Sequence, residues 1–169
     1  MPPGGLTYVN ESTPGLSSLP ASCDGLSSMS GRMPIVDASV QETNAWLKAI
    51  ARELGGGEKQ DAYAAARAVL QSLRDHLPPQ AALTFAGELP LALRGALVEN
   101  WQLGAPPLRN DPGHTFAEDV GARLGAFFVA DAEGAARAVL AVIDRKVPRS
   151  VLERTLDQLP PGMLPFGRA

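Results

Sequence analysis

Residues 66–80 read ARAVLQSLRDHLPPQ, and residues 136–150 read ARAVLAVIDRKVPRS. The two stretches lie seventy positions apart and share the order Ala-Arg-Ala-Val-Leu, then, after seven intervening residues, a proline. With 43–95 set against 113–165 at that constant shift, thirteen positions are identical without a gap, among them Leu54, Gly55, Asp61, Arg67, Val69, Leu70, Pro78, Leu89 and Pro90. Trp46 then meets Phe116, Ile50 meets Val120 and Leu73 meets Ile143, so several mismatches keep an apolar position. Self-similarity at a fixed shift is the mark of tandem duplication. Each copy would be a small helical unit, and two copies can bury faces that neither buries alone.

Working outward, the punctuation is helical throughout. SVQETNAWLKAIARELGGG at 39–57 pairs Ser39 with Glu42 as a capping box, since hydroxyl and carboxylate satisfy orphan amides at a helix start. Val40, Trp46, Leu47, Ile50 and Leu54 follow on one face, and Gly55 supplies the left-handed stop. A second helix is predicted from Glu58 to His76, with Tyr63, Ala66, Leu70, Leu73 and Leu77 as its apolar positions. Pro78 and Pro79 end it and open a third, because proline fits a first helical turn. Pro90 does the same before a fourth over 91–101. Beyond a Pro- and Gly-rich loop, Thr115 with Glu118 forms another capping box, Asp131 caps a helix over 132–147, and Pro148 opens the last. No stretch alternates with period two, so no strand is expected.

The predicted fold class is therefore all-α: a bundle of about seven helices built from two tandem pseudo-symmetric repeats. Repeat one spans 39–101, a linker 102–112 and repeat two 113–165, together one helical domain over 37–165. Alanine on the longest helix of each copy lets axes approach near the lower end of about 8–10 Å. Those two helices are thus expected to pack together about a pseudo-twofold axis, with Leu70→Ala and Leu140→Ala each costing about 2–5 kcal/mol. Residues 1–36 are rich in Gly, Ser and Pro and carry no Lys or Arg before Arg32. That composition buries too little apolar surface to offset ordering entropy, so a disordered leader is predicted, with Met33 a candidate alternative start.

Composition narrows the function. The 169 residues are 45% hydrophobic and 20% charged, with 15 basic and 18 acidic side chains and a formal charge of -3. That balance argues against a nucleic-acid or anionic-membrane footprint. The single cysteine, Cys23, permits no internal disulfide and suits a reducing compartment. No apolar run approaches the roughly 18 residues of a spanning helix, and the N-terminus lacks a basic region followed by an apolar core. A soluble cytoplasmic protein is the expectation.

Chemistry is sparse. His76 and His114 lie 38 residues apart, too far for ligand spacing. His76 sits where a basic side chain suits a helix C-terminus, and Lys146 holds the equivalent place. No metal, cofactor or catalytic set is called for. Arg67 and Arg137 recur together and have two readings: an ion pair at the apolar margin made once per copy, with Asp61 or Asp75 near Arg67, or an anion site where the copies meet. Trp101, before the loop, is the best candidate for an exposed anchor. Arg74 and Arg94 have weaker claims, since the repeat places Asp144 and Leu164 there.

TNAWLKAIARELG, AYAAARAVLQSLRDHLP, GELPLALRGALVENW and the closing LERTLDQLP together resemble a bacterial family catalogued as domain of unknown function 2267. The resemblance covers roughly residues 37–165 and implies a small all-helical bacterial protein, with no established activity, cofactor or catalytic residue. The tail GMLPFGRA is too short and proline-broken to match the fourth helix of the first copy, which leaves seven helices. The functional expectation is a non-enzymatic interaction or regulatory module, its protein partner met by the fourth helix and following loop through Arg94 and Trp101. The alternative is a small-ligand or anion sensor, with a cleft between the repeats lined by Tyr63, Arg67 and Arg137.

Overall fold

A computed structural model describes residues 33–103, 115–125 and 131–164, and seven helices lie among them. They are α1 (Pro34–Glu53), α2 (Lys59–Asp75), α3 (Pro79–Ala86), α4 (Leu91–Val98), α5 (Phe116–Leu124), α6 (Ala132–Lys146) and α7 (Arg149–Leu156). No strand occurs among the described residues, and no helix there is long and apolar enough to cross a membrane. The architecture is the expected all-α bundle.

Most of the predicted punctuation acts where it was read. Gly55 takes φ 88° just past α1. The Asp61 carboxylate accepts the Glu58 backbone N–H at 3.3 Å and opens α2. Thr115 and Glu118 cap α5 reciprocally, and the Asp131 carboxylate accepts the Gly134 N–H at the start of α6. Pro78, Pro90 and Pro148 stand at the N-caps of α3, α4 and α7.

Two boundaries differ from the sequence reading. Ser39 is not a cap: α1 starts at Pro34, and the Ser39 carbonyl accepts the Thr43 hydroxyl at 2.9 Å inside the helix. Proline at the first helical position has its φ preset and lacks only an N–H that would be orphaned anyway, so the helix begins more than a turn early. Residues 34–36, assigned by composition to the leader, are thus helical, while 1–32 lie outside the described residues. Farther along, α4 stops at Val98 rather than Trp101, because Glu99 is extended and Asn100 adopts φ 54°.

The core is organised around α2. Ala62, Ala65, Ala66, Ala68, Val69, Leu70, Gln71, Ser72, Leu73 and Arg74 are all buried, so its C-terminal half has no solvent face from Ala68 to Arg74. It packs against α1, α4, α5 and α6. One helix accommodates four neighbours because methyl side chains let several axes come close at once. The expected packing of the two alanine-rich helices, α2 and α6, is present.

Apart from those of α4, several contacts recur at the same shift of seventy. α1 lies on α2 and α6; α5 lies on α6 and α2; α3 meets α7. α3 and α7 occupy 79–86 and 149–156, and Gly125 after α5 has φ 71°, as Gly55 has after α1. At the α1–α6 contact, Arg145 binds Glu53 at 2.7 Å and the Lys146 ammonium stands 5.6 Å from the Trp46 ring centre. At the α5–α2 contact, Arg123 binds Asp75. Positions 53 and 145 thus carry acid and base, and their counterparts 123 and 75 carry base and acid.

Burial distinguishes the paired leucines. Leu70 is enclosed, whereas Leu140 is only partly buried at the edge of the core. Leu70→Ala is therefore expected to lower unfolding free energy by about 2–5 kcal/mol, and Leu140→Ala by well under half of that. Urea unfolding of the two variants measures both.

Candidate functional site

The side chains with chemical potential gather at the C-terminal end of α2. Arg74, only 6% exposed, is the hub. Its Nε donates to Asp75 Oδ1 at 2.7 Å, and its Nη1 donates to the carbonyls of Leu97 and Glu99 at 2.7 and 2.9 Å. Those two carbonyls lie at the end of α4, where no helical N–H follows to bind them. The guanidinium also lies over Trp101, 5.6 Å from the ring centre, a distance suited to a cation–π contact. Arg74 therefore fixes both the end of α4 and the indole beyond it.

From Arg74 the network runs to α5. Asp75 accepts from Arg74 with one oxygen and from Arg123 with the other. Arg123 also donates to the Asp119 carbonyl at 3.4 Å. The His76 ring, buried in the core, places Nε2 2.7 Å from Asp119 Oδ2. On the α4 side, Gln71 Nε2 donates to the Ala96 carbonyl at 3.0 Å and to Glu99 at 3.4 Å. Two arginines and two aspartates thus share a largely dry seam, with Asp75 between both guanidiniums and the Asp119 carboxylate on the His76 ring. Such an arrangement specifies geometry more than it adds stability, since desolvation offsets most of the Coulombic gain.

Sequence reasoning passed over this seam. It placed His76 at a helix end but without its partner, and gave Arg74 a minor claim. The available signal was the reversed charges at 53/123 and 75/145 when the sequence is set against itself at a shift of seventy. The side chains that were singled out have other duties. Arg67 Nε binds Glu99 at 2.5 Å rather than Asp61 or Asp75, which are nearer in sequence. Arg137 binds Glu133 on its own helix at 2.8 Å and is 61% exposed. Tyr63 and Trp101 are partly buried against the core, so Trp101 is not an exposed anchor. Arg94 folds back onto the end of α3, donating to the carbonyls of Ala86, Gly87 and Leu89 at 2.9, 2.8 and 3.1 Å. His114 and Cys23 lie outside the described residues.

A second feature is apolar. The first three turns of α1 and the start of α4 enclose a groove of about 290 Å³ lined by Val36, Ser39, Val40, Thr43, Asn44, Leu91 and Ala92. Val36, Val40 and Leu91 are 47, 53 and 62% exposed. Its polar lining is already engaged: Thr43 binds the Ser39 carbonyl, and Asn44 Oδ1 accepts Lys59 Nζ at 2.9 Å. Val36 and Val40 extend the same helical stripe that buries Leu47 and Ile50 lower on α1.

A family model described as an uncharacterized conserved protein, DUF2267, matches residues 43–166. The chain belongs to the DUF2267 family. The DUF2267 region begins at Thr43, so it takes in the whole polar seam and the α4 wall of the groove, while Val36, Ser39 and Val40 precede it. Among curated proteins, none matches the chain. Within the described part of this DUF2267 chain, no three His, Cys, Asp or Glu side chains are grouped to hold a metal ion. Ser72 Oγ there is a buried side-chain polar atom without a hydrogen-bond partner. Val142, the residue seventy positions on, is a buried hydrocarbon.

The contrast between Arg74 and Arg137 is measurable. Arg74→Ala leaves the Leu97 and Glu99 carbonyls without this donor and Asp75 with Arg123 alone, and is expected to cost about 3–5 kcal/mol, as for a broken buried pair. Arg137→Ala, at an exposed pair within one helix, is expected to stay within about 0.5 kcal/mol. Urea unfolding separates the two. Glu99 gives a second check. Its carboxyl is held below the ordinary carboxylate range chiefly by the Arg67 hydrogen bond, which outweighs the opposing effect of desolvation, with the Arg67 charge and the Gln71 hydrogen bond adding to the lowering. A lowered folded value means the pair helps above the unfolded titration range and is lost as pH falls. In an NMR pH titration, Arg67→Gln should move the Glu99 midpoint upward and leave distant carboxyls where they were.

Proposed function

We propose that this chain is a non-enzymatic interaction module that docks an amphipathic helix of a partner protein in the α1–α4 groove. The supporting observation is the continuation of the α1 apolar stripe past the body of the bundle, where Val36 and Val40 stay exposed beside Leu91. A short helix gains most of its stability by burying such a stripe, and two helices flanking a trough form the shape that receives a third. Asp37 and Glu42 are the charged residues on the upper turns of α1, and the whole chain carries -3. The partner helix is therefore one with an apolar stripe edged by Lys or Arg. Arg94 and Trp101, expected as contacts, serve the fold instead, but the α4 surface remains part of the site through Leu91 and Ala92. The alternative sensor cleft gains no support from Arg67 and Arg137, whose guanidiniums are answered by Glu99 and Glu133.

We further infer that the chain is two duplicated halves related by a pseudo-twofold axis, in a bacterial cytosolic protein. The thirteen identities, the paired contacts and the reversed ion pairs Glu53–Arg145 and Arg123–Asp75 support the duplication. A pair that keeps its position while exchanging its charges is what independent drift around a retained contact would leave.

A Leu/Lys amphipathic peptide titrated into isotopically labelled protein tests the docking. Amide shifts should concentrate in residues 34–44 and at 91–92, vanish in Val40→Asp, and be absent with the matching Leu/Glu peptide. Shifts confined to α6 and α7, equal response to both peptides, or no response overturns the reading.

A further inference from the structure

We propose that α5 is a separately releasable element, locked onto α2 by the His76–Asp119 and Asp75–Arg123 pairs, and that its release is a conformational switch in this fold. The inference does not depend on the α1–α4 groove.

The case begins with the shortness of α5 and the way it is held. Among its nine residues Phe116 and Val120 are fully buried, and Leu124 is partly buried against the core. A nine-residue helix does not persist in water alone, so α5 depends on docking. Its contacts go to α2 and α6, and its Gly121 rides close to α6, where an added Cβ would come within 3.3 Å of the Ala132 Cβ. The α1–α2, α1–α4, α2–α4 and α3–α7 contacts involve no residue of α5.

The ties to α2 are polar and mostly desolvated: the Asp119 carboxylate meets His76 Nε2, and the Arg123 guanidinium meets Asp75. Desolvation offsets most of what such pairs gain while both partners are present. Docking therefore rests on Phe116, Val120, part of Leu124 and these two polar ties, and opening is cheaper than unfolding the whole bundle. The same pairs act as a lock in the other direction. Removing one partner strands a buried charge, and release relieves it. Once released, α5 leaves bare the faces of α2 and α6 that it covers and brings His76 to solvent, so a second apolar surface exists only in the open state.

Native-state hydrogen exchange on the full chain tests this. Amides of 120–125 should exchange at least about tenfold faster than those of 69–73 in α2. Sub-denaturing urea should accelerate the α2 amides steeply and the α5 amides little, because opening α5 exposes less surface than global unfolding. Asp119→Asn should speed the α5 amides by about tenfold or more, the factor for one lost charge-assisted bond. Arg123→Gln serves as the second variant and should act in the same direction. Equal exchange in α2 and α5, or the same urea dependence for both, overturns the separate release. Wild-type exchange of α5 in both variants overturns the lock.

Discussion

Everything in this bundle depends on the close approach of helices around α2. Ala62, Ala65, Ala66 and Ala68 give this helix a surface of methyl groups, and Ala135, Ala136 and Ala138 do the same for α6. Small side chains shorten the distance between axes, and a helix thin enough can be surrounded. A larger residue at those places would push one neighbour away and open space beside Val69, Leu70 and Leu73. The punctuating prolines and glycines then matter because they turn the chain back onto this axis at the right lengths.

A surrounded helix has a consequence for charge. The last turn of α2 lies between α4 and α5, so Arg74, Asp75 and His76 have little access to water and must be answered by protein groups. Arg74 answers the end of α4, Asp75 joins two guanidiniums, and His76 meets Asp119. At the α1–α6 contact, Glu53 and Arg145 are more exposed and Lys146 lies over an indole instead. Two contacts of matching position thus differ in wetness: one is a surface pair, the other a dry network. The dry one is where geometry is specified most tightly and where loss of a single partner is felt most.

The groove arises from the opposite circumstance. α1 outruns the bundle, and its upper turns carry aliphatic side chains with only the start of α4 beside them. The hydrophobic pattern of α1 does not change along its length; what changes is the presence of neighbours. An apolar stripe left uncovered in this way is the surface expected of a binding face rather than of a solvated helix. The polar side chains around α3, α4 and the end of α2, by contrast, hold elements together, as Arg94 does at the end of α3 and Arg74 at the end of α4.

Local chemistry determined the helix count, most of the boundaries and the correspondence of residues seventy apart, because proline, glycine and capping side chains act within a turn of themselves. Gly55, Pro78, Thr115, Asp131 and Pro148 were legible for that reason. The start of α1 was not, since Pro34 competed with a plausible cap at Ser39 and both signals are local. Tertiary structure alone decided which charges meet. Arg74 reaches carbonyls 23 and 25 residues away, Asp75 finds Arg123 at a separation of 48, and His76 finds Asp119 at 43. Tertiary structure also decided that Leu70 is enclosed while Leu140 is not, and that Val36 and Val40 stay uncovered. Burial is a property of what packs alongside a residue, and a helical pattern names the face without naming the neighbour.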